Sequence, residues 1–185
     1  MVINDIHFTL KDGREAVIRS PREEDIPDML DYLRISAGET YFILRTPEEC
    51  DRYTYEGEKA LFEQKNAAPK DAMLVCIVDG KLAGNCEIAF HNKIRTRHRA
   101  SVAIALLKEF WNLGIGTRFF EELIRLAEAD EYVTQLELEF VEGNSRARHL
   151  YEKMGFRIAG VHPDAIRLTD GTLLNEYLMI KKLDK

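Results

Sequence analysis

Three consecutive segments in the middle of the chain constrain its fold more than any other feature. Ala100 to Leu107, ASVAIALL, is apolar on both faces and reads as a central strand. After Gly114 and Gly116, the residues Phe119, Phe120, Leu123, Ile124 and Ala127 recur at helical spacing, with Glu121, Glu122, Arg125 and Glu128 between them. The stretch VTQLELEFV then alternates, with Leu136, Leu138 and Phe140 on one face, and reads as another strand.

The flanks carry hairpin signals instead. Asp12-Gly13 separates two alternating runs near the N-terminus, and Asp79-Gly80 separates AMLVCIV from KLAGNCEIAF. RIAGVH and LLNEYLMIKKL supply two last strands around Asp170-Gly171. Ser20 before Pro21, with Glu23 three residues on, reads as a capping-box helix start, and Ile26, Met29, Leu30 and Leu33 form its apolar face up to Gly38. A second helix is expected from Thr46-Pro47 to about Asn66, and a short one from Asn144 to Gly155. Strands and helices alternate only in the middle. The expected fold class is therefore α/β (α+β): a mixed, mostly antiparallel central sheet of six to seven strands with helices on both faces.

The chain of 185 residues suits one domain spanning 1–185, with a full core. A hydrophobic share of 45% beside 31% charged residues is that of a soluble globular protein, and no apolar run is long enough to span a membrane. The first residues lack the basic and apolar regions of a secretory signal, so a cytoplasmic location is expected. Cys50, Cys76 and Cys86 are odd in number and form no C-x-x-C, which fits buried free thiols. Net charge of −6 argues against a nucleic-acid partner and mildly favours an amine-bearing substrate. The basic run HNKIRTRHR, His91 to Arg99, reads as a solvated loop between strands rather than an RNA contact. No metal-ligand spacing occurs among the five histidines.

Gly114 and Gly116 at a helix start call for a reason, because glycine within a helix costs about 1 kcal/mol relative to alanine. A helix start offers unpaired N–H groups and the positive end of a dipole, and side-chain-free positions let a phosphate approach. Walker A, the three-glycine dinucleotide fingerprint (Phe119 stands at its third glycine) and the nucleophile elbow are all absent.

The window WNLGIG followed, after helix and strand, by NSRARHLYEKMGF resembles the GNAT superfamily of acyl-CoA-dependent N-acyltransferases. Gly114 and Gly116 match the family's glycine positions, while Trp111 stands where Arg or Gln is usual, similar to the branch that acetylates protein N-termini and some antibiotics. Asn144, Ala147, Leu150, Tyr151, Gly155 and Phe156 fall in register with the second motif. The resemblance covers about Arg14 to Lys182, most tightly Ser101 to Gly160.

The resemblance implies a central strand pair that splays open and acetyl-CoA as cosubstrate. It also implies direct acetyl transfer to a primary amine of a small molecule or peptide in a ternary complex. It places Leu113, Gly114, Ile115, Gly116, Thr117 and Arg118 at the pyrophosphate, Leu106 and Leu107 along the pantetheine arm, Trp111 as a shield, and Asn144 on the pantetheine amide. The Leu106 N–H would stabilise the developing oxyanion, a contribution of about 3 kcal/mol in comparable sites. Tyr151 is the implied acid for the departing thiolate. The amine must lose a proton before attack, and SVAIALL contains no acid, so Glu87 is the first candidate base, ahead of Glu137 and Glu139. A homodimer is compatible with this reading. A non-catalytic acyl-CoA-binding regulatory domain would keep the glycines without needing Tyr151.

Overall fold

The computed structural model describes residues 1–184. Eight strands run in the order β1-β2-β3-β4-β5-β6-β8-β7, two or one more than the sequence indicates. Contacts divide the chain into two compact units: residues 1–88 with 104–119, and residues 89–103 with 120–185.

In the first unit, β1 (Ile6–Thr9) and β2 (Glu15–Arg19) form the N-terminal hairpin, with Gly13 at φ 91 in the turn. β3 (Ala72–Val78) pairs antiparallel with β2 and with β4 (Lys81–Phe90). Asp79 and Gly80 both take positive φ in the β3–β4 turn, the geometry that Asp-Gly favours there. Residues of β3 are buried almost throughout, as in a strand covered on both sides.

Both expected helix starts lie elsewhere. Ser20 does not cap: its Oγ accepts the Ile3 N–H at 3.0 Å. The turn is instead capped by Asp25, whose Oδ2 accepts the Arg22 N–H at 2.7 Å across a 3₁₀ turn, Glu23–Asp25. α1 (Ile26–Glu39) follows and buries Ile26, Met29, Tyr32, Ser36 and Ala37, so its inner stripe becomes polar towards its C-terminus. The expected second helix is broken. A 3₁₀ turn, Glu48–Arg52, ends at Tyr53, and α2 (Tyr55–Ala67) starts afresh where Thr54 Oγ1 accepts the Gly57 N–H at 3.1 Å.

In the second unit, β6 (Gln135–Val141) pairs antiparallel with β8 (Leu173–Lys182), which pairs antiparallel with β7 (Arg157–Arg167). β5 (Arg99–Leu106) runs parallel to β6 only through Arg99↔Gln135, Ala100↔Leu136 and Ser101↔Glu137. Beyond that point the two strands part, which is the expected splay. α4 (Ser145–Lys153) ends at Met154, with Gly155 at φ 88 just beyond it. α3 (Ile115–Ala129) begins in the first unit and continues in the second. Its Glu122 is buried rather than on the polar face, held by Arg125 at 2.6 and 2.8 Å one turn on.

All three cysteines are free and buried, and burial pushes the Cys76 thiol up to about 12. The His91–Arg99 segment closes with His91 N–H on Arg99 O at 3.2 Å and leaves Ile94 fully in solvent.

Arg19 and Asp25 form a buried two-pronged ion pair, at 2.6 and 2.7 Å, that ties β2 to the start of α1. Removing one partner of such a pair leaves an uncompensated buried charge. Asp25→Ala also removes the cap at Arg22. It is expected to lower stability by about 3 kcal/mol or more in urea unfolding; an unchanged midpoint would show that the pair is dispensable.

Candidate active site

The first unit holds the glycine-opened helix start. Asn112 and Gly114 take positive φ, 64 and 102, and this pair of left-handed residues turns the chain into α3. The positive φ thus falls at Gly114; Gly116 lies within the first helical turn. The first turn closes with Arg118 N–H on Gly114 O at 3.2 Å. Among the described residues, the main-chain N–H groups of 112–117 have no hydrogen-bond acceptor. A Cβ placed on Gly114 would meet nothing within 4 Å, so the space beside that residue is open. Leu113 O accepts the Lys11 N–H at 3.2 Å, which fastens the loop to the N-terminal hairpin. The Arg118 guanidinium stands over the Phe8 ring at 5.7 Å. Ile115 is fully buried and Thr117 half-buried, so Ile115 anchors the turn.

The end of β5 is fixed by its own loop. Trp111 Nε1 donates to Leu106 O at 2.9 Å, and Leu107 N–H donates to Ala83 O at 3.0 Å. Leu107 is buried, so it contributes to the core and its main-chain donor is already engaged. Trp111 therefore holds the Leu106 carbonyl in place. Gly84 on β4 leaves the room this arrangement needs: a Cβ there would run into Ala105 O and the Leu106 side chain.

The second unit holds Asn144 and Tyr151. Asn144 Oδ1 accepts the Ala147 N–H at 3.3 Å and so caps α4. Its amide NH₂ makes no bond among the described residues, so capping leaves that donor available. Tyr151 is 6% exposed and sits edge-on to Phe120 at 5.4 Å and to Phe140 at 5.9 Å. Burial pushes its phenol up to about 12. The hydroxyl has no partner among the described residues, yet it is not sealed off, because the only buried, unpartnered side-chain atom is Asn66 Oδ1. A phenol held by its ring with a free tip is placed to donate to something that arrives.

Of the candidate bases, Glu137 is spent on a local cluster: His91 Nε2 at 3.0 Å, Ser101 Oγ at 3.3 Å and Arg99 at 3.2 Å. Glu139 is exposed. Glu87 is held by Lys65 Nζ at 2.6 Å. What the sequence does not reveal is the polar lining around it. Tyr32 OH donates to Asn85 Oδ1 at 2.8 Å, two residues from Glu87 on the same face of β4. Arg45 reaches back to Ser36 Oγ at 2.6 Å and Leu33 O at 3.2 Å. Glu58 lies buried nearby, one turn before Phe62 on α2. The Glu58–Phe62–Lys65 spacing is visible in the sequence, but a helix expected to run unbroken from Thr46 hides its meaning. Among the described residues no group of three or more His, Cys, Asp or Glu side chains could hold a metal ion. No helix among them is long and apolar enough to cross a membrane.

A mixed sheet with a splayed parallel pair, and a glycine-opened helix after the first of its strands, defines an acyltransferase type of fold. The sequence pattern of the acetyltransferase (GNAT) family matches residues 32–156, and the chain belongs to that family. A curated N-alpha-acetyltransferase of Sulfurisphaera tokodaii is 28% identical over 155 residues, 80% of this chain and 83% of that protein. A GNAT-family acetyltransferase of Streptococcus pneumoniae superposes with TM-score 0.83 at 27% identity, covering 91% of this chain and 99% of its own. A Salmonella typhimurium protein solved with acetyl-CoA shares the fold at TM-score 0.73 and 15% identity, over 92% of this chain and 95% of its own. The chain is thus an acyltransferase enzyme of this family.

Gly84→Ala forces a methyl group against the Ala105 carbonyl, and overpacking of this kind costs about 1–3 kcal/mol. The variant is expected to lose that much stability in urea unfolding and to disturb Trp111 fluorescence. An unperturbed midpoint and spectrum would show that β4 and β5 have room to spare.

Proposed function

We propose that this protein transfers an acetyl group from acetyl-CoA to a primary amine by direct attack in a ternary complex, the whole chain working as one catalytic domain. The observation that carries the reading is the row of unpartnered N–H groups over 112–117 at the start of α3, with open space before Gly114. Such a concavity, at the positive end of a helix, suits a pyrophosphate. Leu113, Gly114, Ile115, Gly116 and Thr117 would bind it through the main chain, with Arg118 adding charge.

The remaining roles follow the family resemblance. Leu106, at the end of β5, would present its N–H to the thioester oxygen, in the position that Trp111 fixes. Asn144 would use its free amide NH₂ on a pantetheine carbonyl. Tyr151 would give its proton to the thiolate of the departing CoA; its raised pKa keeps it protonated at neutral pH, as a general acid requires. The name of the Sulfurisphaera tokodaii relative supports a peptide α-amine as acceptor, and the net charge of −6 favours cationic acceptors generally.

The test is release of free CoA from acetyl-CoA in the presence of peptides with a free N-terminus, polyamines and amino acids. Acetyl-CoA at 100 times its dissociation constant should also stabilise the protein by about 2.7 kcal/mol in thermal unfolding. Equal stabilisation by NADH would point to a dinucleotide site instead.

Tyr151→Phe removes only the hydroxyl, so the contacts with Phe120, Phe140 and Phe156 survive and melting should barely move. A positioned general acid contributes about 10²–10⁴-fold, so kcat should fall by that range while acetyl-CoA affinity is retained. A variant that keeps more than about half of the wild-type kcat, with chemistry rate-limiting, would return Tyr151 to a packing role.

A further inference from the structure

Among the described residues, six polar or charged ones are buried: Arg19, Ser20, Asp25, Ser36, Glu58 and Glu122. Five have fixed partners. Arg19 and Asp25 hold each other, Ser20 accepts from Ile3, Ser36 from Arg45, and Glu122 from Arg125. Glu58, 4% exposed, is the exception: its carboxylate makes no hydrogen bond and no ion pair among the described residues. Neither oxygen is sealed, since among the described residues Asn66 Oδ1 is the one unpartnered side-chain N or O atom cut off from solvent. A carboxylate kept out of bulk water without a cation or donors is costly, and such groups in native proteins have a reason.

The surroundings show what kind of ligand would fit. Glu58, Phe62 and Lys65 lie on one stripe of α2 at i, i+4 and i+7. Lys65 grips Glu87 on β4 at 2.6 Å, and Tyr32 on α1 grips Asn85 on the same face of that strand at 2.8 Å. At the Lys65 end of the stripe the negative charge is matched. At the Glu58 end no cation forms an ion pair among the described residues: the Arg45 guanidinium acts on the carboxylate only through its charge, while its N–H groups donate to Ser36 Oγ and Leu33 O. Burial, and then the charge of Glu87, push the Glu58 carboxyl up, against the opposing pull of Arg45. Glu87, by contrast, has a fixed cation in Lys65.

Building on the transfer reaction proposed above, we propose that Glu58 is the base that receives the acceptor amine, binding its ammonium as the contacting partner it lacks and taking its proton. The ammonium gives one proton to the Glu58 carboxylate, directly or through one water. The freed lone pair forms the C–N bond to the thioester carbonyl, and the C–S bond breaks as the adduct collapses. The second proton lost by nitrogen balances the one the thiolate takes up, giving the amide and CoASH; Glu58 returns its proton to water.

The experiment compares the wild type with Glu58→Gln and with Glu63→Gln, an exposed α2 control. The probes are acetyl-CoA with a short peptide bearing a free α-amine, and spermidine as second acceptor. Glu58→Gln should lose about 100-fold or more in kcat with unchanged acetyl-CoA affinity. The acid limb of its kcat/KM profile should disappear, and Glu58→Asp should restore that limb. Stability should move the other way. The folded-state pKa of Glu58 is raised above the ordinary carboxylate value, so its contribution is fully present below that value and is lost as pH rises through the folded pKa. Glu58→Gln should therefore melt higher than wild type at pH 7, with the gain vanishing below about pH 4. Retention of more than half the wild-type kcat, a uniformly scaled pH profile, or a variant less stable than wild type at pH 7 would each overturn the assignment of Glu58 alone. A wild type that releases no CoA with either amine would overturn the transfer reading and, with it, this role.

Discussion

Main-chain N–H and C=O groups withdrawn from water must find partners, and this fold is organised around the place where its sheet stops supplying them. β5 and β6 run parallel for three residue pairs, to Ser101↔Glu137, and then separate. Parallel strands share a ladder only while they stay about 5 Å apart, so divergence strands backbone groups on both. The loop after β5 answers part of that demand, through Trp111 Nε1 on Leu106 O and Leu107 N–H on Ala83 O. The N–H groups of 112–117 are open for a separate reason: they lead into and form the first turn of α3, where no carbonyl precedes them to accept. An extended, amide-bearing, pyrophosphate-carrying ligand would satisfy what the protein leaves open.

The two candidate proton-transfer groups share a physical signature. Tyr151 and Glu58 are each buried, each without a side-chain hydrogen bond among the described residues, and each shifted upward by desolvation. Desolvation has opposite uses in the two: it keeps a phenol protonated as a donor and makes a carboxylate a stronger acceptor. Pairs of groups tuned in this way are expected where protons move during a reaction rather than where charge merely stabilises a fold. The buried Arg19–Asp25 pair shows the contrasting case, with both charges satisfied and none left to act.

Much of this was legible in the sequence. Asp12-Gly13 and Asp79-Gly80 specify their turns because positive φ there leaves few alternatives, and the apolar run of β5 and the alternation of β6 mark their strands. Asn144 and Gly155 bracket α4 as their chemistry dictates. Ser20 misled because a hydroxyl before Pro21 meets the rule for a cap, whereas Ile3, from a strand whose position no local pattern reveals, claims it. The break between Glu48–Arg52 and α2 is not marked by any local pattern, and neither is the burial of Glu58. The pairing of Glu87 with Lys65 joins residues on different elements and is not written in either segment. Partnership across elements was the missing information throughout.

The central claim is that the unpartnered amides at the start of α3 are the acyl-CoA site. Hydrogen exchange of residues 112–117, with and without acetyl-CoA, measures that directly. The account predicts rapid exchange in the free protein and strong slowing with acetyl-CoA, but not with NADH. Equally rapid exchange in the presence of saturating, tightly bound acetyl-CoA would place the cofactor elsewhere and contradict the account.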